Sequence, residues 1–120
     1  VDAFENRRFR LYVQPIVPLW DPTRSPRYEV LVRLLDARDQ PVSPERFLAA
    51  ANRYRLLGQL DEWVLGELAE QLGRTRAWLA ESGASFAVNV SAQTLGAPEY
   101  LERAQAHLVE ARLDPAVLGF

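Results

Sequence analysis

Residues 28–35 show the clearest alternation of apolar and polar positions in the chain. The even positions are apolar apart from one phenol, whereas the odd positions include Glu29 and Arg33. A period of two predicts a β-strand with one apolar and one mixed face, so the carboxylate and the guanidinium project the same way. Two interpretations fit this strand taken alone: an ion pair at an exposed strand edge, or two groups of a functional site.

Two further stretches alternate in the same way. Residues 9–15 predict a first strand with Gln14 on its polar side, and the polar residues 2–8 before it predict a connector or a helix end. Residues 85–91 predict a third strand with Asn89 on a face of small and polar side chains. The connection between the first two strands is too short for a crossover helix, so we expect them to be antiparallel neighbours.

Helical periodicity fills the segment between the second and third strands. Ser43 as N-cap and Pro44 at the first helical position predict a helix start, and Gly58 predicts the end of that helix. A longer helix is expected over residues 59–81, with Gly83 just past its end. Its predicted apolar stripe consists of Leu60, Val64, Leu68, Leu72, Thr75 and Leu79, flanked by Trp63 and Trp78 as residues that pack helix against sheet.

The last third of the chain predicts one more helix and the start of a strand. Pro98 opens the helix, and residues 117–120 look like the first residues of a fourth strand. His107 lies off the apolar stripe of this helix and is predicted to be a solvated surface residue rather than part of a site. The inward face of the helix is expected to hold Leu101, Ala104, Leu108 and Ala111.

The order of these elements predicts an α/β fold. Strands that alternate with helices from the second strand onward imply a parallel sheet with helical crossovers, where ligand groups gather at the carboxyl ends of the strands. Gln14, Glu29, Arg33 and Asn89 therefore form a candidate site. Carboxylate and amide oxygens suit Mg²⁺ or Mn²⁺, and a guanidinium suits a phosphate. The residues alone indicate a metal-and-phosphate site, with a satisfied core amide at Asn89 as the alternative.

The amino-acid composition excludes several other classes of function. A net charge of −2 gives no broad basic surface for a nucleic acid polymer and no polybasic patch for a membrane. The chain has no cysteine and no lysine, which excludes a thiolate nucleophile and a Schiff base within it. No apolar run is long enough to span a bilayer. The absence of methionine and the start at Val1 predict a segment of a longer protein.

Five motifs in order resemble one known family, the EAL domains, which are cyclic di-GMP phosphodiesterases of bacterial signalling. Residues 9–16 resemble the FxLYxQPI strand, and residues 28–33 resemble the signature strand, with Glu-Val-Leu in place of Glu-Ala-Leu. Residues 42–47 and 60–65 resemble the VSPxxF and LDxWVL segments, and residues 86–91 resemble the AVNLS strand. Each motif is weak alone, but five at the right spacing over nearly the whole chain are specific.

The resemblance implies part of a (β/α)8 TIM-type barrel with an antiparallel first strand. It implies that Glu29 and Asn89 are metal ligands, with Glu29 catalytic, and that Gln14 and Arg33 contact the cyclic dinucleotide. It further implies hydrolysis of cyclic di-GMP to linear pGpG with Mg²⁺ or Mn²⁺. In the same way we expect a cytoplasmic homo-oligomer, with GGDEF or sensory domains upstream.

Two departures bear on that expectation. Residues 34–36 read Leu-Leu-Asp where many members have tryptophan and histidine, which puts the substrate contacts of this loop in doubt. The chain ends at Phe120, so we expect residues 1–120 to be the N-terminal portion of one EAL domain, ending at the start of the next barrel strand. The further metal ligands of the family would follow it, so the segment by itself is expected to be inactive. The alternative is a degenerate EAL-type receptor that binds cyclic di-GMP without cleaving it.

Overall fold

The computed structural model describes residues 9–21, 23–53 and 57–119. Four strands form one sheet in the order β1 (Phe9–Pro15), β2 (Arg27–Leu34), β3 (Ser85–Val88) and β4 (Leu118–Gly119). The predictions for residues 2–8 and for residue 120 lie outside the described part of the chain.

The strand directions confirm the predicted α/β topology. β1 and β2 are antiparallel, whereas β2 pairs with β3 and β3 with β4 in parallel. The short β1–β2 connection permits only the antiparallel arrangement, and the later strands are joined through helices. The sheet therefore begins with one antiparallel strand and continues as a parallel sheet.

The helices lie between the second and fourth strands. In chain order they are α1 (Pro44–Arg53), α2 (Leu57–Gly73), α3 (Arg76–Ser82), α4 (Ala92–Leu95) and α5 (Pro98–Glu110), with a 3-10 turn at Pro115–Val117 before β4. No helix within the described ranges is long and apolar enough to cross a bilayer.

The long helix predicted over residues 59–81 is two helices in the structure. The break falls at Arg74 and Thr75, where the Thr75 N–H and hydroxyl both donate to the Leu72 carbonyl oxygen, at 3.0 and 3.1 Å. Thr75 was expected on the apolar stripe, but its hydroxyl bonds back to the preceding turn, which competes with helix continuation. Gly83 ends the second of these helices with a φ of 67°, and its N–H donates to the Leu79 carbonyl oxygen, as predicted.

Three other boundaries or faces differ from the predictions. Gly58 lies inside α2 rather than closing the preceding helix. β3 stops at Val88, before Asn89. On α5 the inward residue is Tyr100, which is 1% exposed, whereas Leu101 is 45% exposed, so the predicted stripe began one position too late.

His107 is more enclosed than the sequence predicted. It was expected to be a solvated surface residue, but it is half-buried beside Gly66 of α2. Its Cε1 atom lies 3.4 Å from the point that a Cβ atom at residue 66 would occupy. The lack of a side chain at Gly66 is what lets the imidazole pack between the two helices.

The core lies against the apolar face of the sheet. Phe9, Val30, Phe86 and Val88 come from that face, and the Tyr28 ring stacks on Phe86 with centroids 5.2 Å apart. Helix α2 covers this face with a buried row at Leu60, Val64, Leu68 and Leu72. Burial of this apolar area, at about 25 cal/mol per Å², is the main stabilising term and leaves the opposite, mixed face of the sheet free for other groups.

Trp63 and Trp78 differ in how far they take part in that packing. The Trp63 ring lies 5.5 Å from Phe9 by centroid, as expected for a residue between helix and sheet. The Trp78 ring lies 6.2 Å from Tyr28, yet the residue remains 43% exposed, so it covers the edge of the core.

Candidate functional site

The mixed face of the sheet brings Gln14 and Glu29 together. Gln14 on β1 is the register partner of Glu29 on β2, and directly paired residues of antiparallel strands project to the same side. Gln14 is exposed and Glu29 is half-buried. The apolar face of β2 is fixed in the core, so parity alone holds the carboxylate on the opposite side.

Asn89, which follows β3, contacts the same carboxylate. Its Nδ2 donates to Glu29 Oε1 at 3.4 Å, a long hydrogen bond that joins residues 60 positions apart. Asn89 lies one residue beyond β3, where the parallel strand delivers its side chain to the carboxyl end. Glu29 and Asn89 therefore share one face of the sheet.

Arg33 lies four residues beyond Glu29 on β2, with the same parity. Its Nη1 donates to the Val32 carbonyl oxygen at 2.9 Å, and the residue is half-buried. Arg33 and Asn89 both line a cavity of about 570 Å³ that is bounded by β2, the end of β3 and residues of α1 and α2. The structure thus brings Glu29 to Asn89 by a hydrogen bond, Gln14 to Glu29 by register, and Arg33 to Asn89 by a shared cavity.

One polar group beside this cavity was not predicted. Asp61 of α2 is only 7% exposed, and its Oδ2 accepts hydrogen bonds from the Ser91 N–H at 3.2 Å and the Ser91 hydroxyl at 3.0 Å. These bonds attach Ser91, three residues beyond the end of β3, to α2. The sequence feature that could have indicated this group is its position, because Asp61 directly follows Leu60 of the apolar stripe of α2.

The donor set suits a hard divalent cation. Glu29 offers carboxylate oxygens and Asn89 an amide oxygen, which are the ligand types that Mg²⁺ and Mn²⁺ prefer. A cation between them would be met by the amide oxygen, with the amide group rotated from the orientation seen here. Within the described ranges no group of three or more His, Cys, Asp or Glu residues gathers in one place.

Comparison with known proteins gives consistent matches. A family model described as "EAL domain" matches residues 1–120. The chain is 30% identical over 107 residues to the cyclic di-GMP phosphodiesterase PdeB of Shewanella oneidensis, covering 86% of the chain and 12% of PdeB. It is 31% identical over 89 residues to the cyclic di-GMP phosphodiesterase PdeF of Escherichia coli, covering 74% of the chain and 11% of PdeF.

Solved structures agree with the family match. The FimX EAL domain of Pseudomonas aeruginosa, in a crystal structure bound to c-di-GMP, superposes with a TM-score of 0.81 at 33% identity. That alignment covers 98% of this chain and 45% of the FimX chain, so the segment spans less than half of its structural relative. The four-stranded sheet corresponds to part of a TIM-barrel-like fold. On the family match over its whole length, and on the shared fold, the chain belongs to the EAL domain family.

Proposed function

We propose that the domain containing this chain hydrolyses cyclic di-GMP to linear pGpG with Mg²⁺ or Mn²⁺, and that residues 1–120 form its N-terminal portion. The observation that carries the proposal is the meeting of Glu29 and Asn89 at 3.4 Å on the mixed face of the sheet. Two similar proteins, PdeB and PdeF, are cyclic di-GMP phosphodiesterases, and the similar FimX domain binds c-di-GMP, which supports both the reaction and the ligand.

Each of the four residues has a role that its chemistry suits. The Glu29 carboxylate and the Asn89 amide oxygen would hold the cation, which when bound lowers the pKa of a coordinated water and offsets charge on the phosphate. Arg33 presents a planar fork of donors that fits two oxygens of one phosphate. Gln14, opposite Glu29 on the neighbouring strand, would orient the dinucleotide by hydrogen bonds from its amide.

The second candidate is a receptor that binds cyclic di-GMP without cleaving it. It is favoured by one observation, namely that the similar FimX EAL domain is seen in a crystal structure bound to c-di-GMP. Both candidates require ligand binding, and they differ only in turnover. We expect the isolated 120 residues to be inactive, because the two proposed ligands, Glu29 and Asn89, would not fix an ion by themselves.

The test is conversion of cyclic di-GMP to pGpG by the full-length protein with Mg²⁺ or Mn²⁺. Glu29→Gln keeps the size of the side chain but removes its charge, and we expect the rate to fall by at least about 100-fold because the metal contribution amounts to several kcal/mol. Glu102→Gln, on the exposed surface of α5, is the matched control and should keep the wild-type rate.

Three results bear on the choice. Turnover by the wild-type protein that is lost in Glu29→Gln supports the phosphodiesterase. Binding of cyclic di-GMP without turnover by the wild-type protein favours the receptor. Wild-type rates in Glu29→Gln, or turnover by the isolated segment, would show that the chemistry is assigned to the wrong residues.

A further inference from the structure

Among the described residues, Asp61 is the one carboxylate residue that is less than a tenth exposed, and it lies in the second turn of α2. A buried carboxylate is costly unless hydrogen bonds compensate for its lost hydration, and a well-packed apolar residue is often no worse for stability. The helix is apolar on both sides of this position, at Leu60 and Val64, so packing gives no reason for a charge there. The hydrogen bonds that Asp61 accepts from Ser91 therefore explain the charge at this position.

Both bonds from Ser91 to Asp61 fix the chain just beyond the third strand. The Ser91 N–H and hydroxyl donate to a single oxygen of Asp61, which ties backbone and side chain of one residue to α2. Ser91 is also the N-cap of α4, since its Oγ accepts from the Thr94 N–H at 3.2 Å and lies 2.9 Å from Thr94 Oγ1. Thr94 is itself only 8% exposed, so the junction is enclosed rather than solvated.

Asn89 lies between this junction and the last residue of the strand. Val88 is held in register with Val30 of β2, and Ser91 is held by Asp61, so the two residues between them have little freedom. The direction of the Asn89 side chain toward Glu29 is thus set from two sides. Removal of the tie at Ser91 would leave only the strand to direct it.

We infer that Asp61 is a positioning residue that acts through Ser91 to hold the Asn89 amide beside Glu29. The inference rests on the proposed function, in which those two side chains hold the divalent cation. Partners that orient metal ligands from behind contribute about 10–100-fold to metal affinity or activity when they are removed. In this role Asp61 does not itself hold the cation, and its effect is on the placement of a ligand.

The test compares four variants of the full-length protein. Asp61→Asn removes the charge, and Ser91→Ala removes the hydroxyl that donates to Asp61, whereas Ser91→Thr keeps a hydroxyl and serves as the conservative rescue. Asp114→Asn is the matched control, because the Asp114 carboxylate also accepts a backbone N–H, from Ala116 at 2.9 Å, but in the 3-10 turn before β4. Three quantities are measured: Mn²⁺ affinity by electron paramagnetic resonance, hydrogen exchange of the 86–95 segment in metal-free protein, and the melting temperature.

The expected result is an increase of about 10-fold in the Mn²⁺ dissociation constant for Asp61→Asn and for Ser91→Ala. Exchange in the 86–95 segment should be faster in the same two variants, while Ser91→Thr and the Asp114 control should stay near wild type in both measurements. If the two variants show only a lower melting temperature, with Mn²⁺ affinity and exchange unchanged, the role of Asp61 is merely structural. Unchanged Mn²⁺ affinity and unchanged exchange in both Asp61→Asn and Ser91→Ala would overturn the inference.

The two proposals fail in different ways. Wild-type protein that binds no Mn²⁺ contradicts the proposed metal site. In that case the metal-free exchange measurement still decides whether Asp61 orders the chain around Asn89: faster exchange in the two variants upholds the ordering role, and equal exchange refutes it. If Asp61→Asn does not fold, Ser91→Ala carries the test, since it removes a single hydroxyl from a half-buried residue.

Discussion

Replacement of Arg33 by lysine should weaken binding of cyclic di-GMP without changing the fold. Arg33 is half-buried, and one of its N–H groups is already held by the Val32 carbonyl oxygen at 2.9 Å, so the guanidinium is oriented before the ligand arrives. Arg33→Lys keeps the positive charge but loses the planar fork that contacts two phosphate oxygens at once. The variant therefore tests the geometry of the side-chain donors at constant charge.

The size of the effect follows from the bonds lost. A hydrogen bond to a charged group contributes about 1.5–3 kcal/mol, and lysine would keep one of two such bonds to the phosphate. The loss of the other corresponds to a dissociation constant raised roughly 10–150-fold. Titration calorimetry of the full-length protein with cyclic di-GMP in EDTA measures this constant while hydrolysis is prevented.

Arg27→Lys is the matched control for that experiment. Arg27 starts the same strand and, six residues before Arg33, has the same parity, but it is exposed at the opposite end of β2. We expect its dissociation constant to stay within about twofold of wild type, as is usual for surface substitutions away from a site. Equal affinities of wild type and Arg33→Lys would refute the assignment of Arg33 to the phosphate.

Three further predictions concern stability of the full-length protein. Leu65→Ala should lower the free energy of unfolding, measured by chemical denaturation, by about 2–5 kcal/mol, because Leu65 is 0% exposed. Leu101→Ala, at a 45% exposed position, should change it by less than about 1 kcal/mol. Similar losses for both variants would contradict the observed packing. Gly83→Ala should lower the melting temperature, because the residue has a φ of 67° and a new Cβ would lie 3.0 Å from Ser25 Oγ; an unchanged temperature would refute this. Burial, together with the charges of neighbouring carboxylates, raises the pKa of Tyr100 from 10.0 to about 12. The contribution of Tyr100 to stability is therefore present below pH 10 and is lost as the pH rises toward 12. Absorbance at 295 nm should show one tyrosine that titrates late, and this late titration should be absent in Tyr100→Phe.

The strands carrying the candidate site were predictable because their pattern is local. Alternation in residues 9–15 and 28–35 fixes which side chains face the helices, and the opposite parity then places Gln14, Glu29 and Arg33 on the other face. The antiparallel start of the sheet followed from the length of one connection. Such features need no knowledge of distant contacts.

Two of the missed features depend on contacts between distant residues. Alternation continues through Ser91 and so predicts a longer third strand, whereas the observed pairing with β2 ends at Val88; Ser91 instead bonds to Asp61, thirty residues away. On α5 the apolar period fits Leu101 as well as Tyr100, and it is Tyr100 that packs against Leu65 of α2. The break at Thr75 is local instead, because the Thr75 hydroxyl bonds to the carbonyl oxygen three residues earlier, which competes with an otherwise helical period.

The most direct test of the central claim is the position of a bound metal ion. Anomalous scattering from Mn²⁺ in crystals of the full-length protein with cyclic di-GMP would locate the ion independently of any activity. We predict a peak within about 2.5 Å of a Glu29 carboxylate oxygen and of the Asn89 amide oxygen, with a phosphate of the dinucleotide facing Arg33. A fully occupied peak that contacts neither Glu29 nor Asn89 would contradict the account.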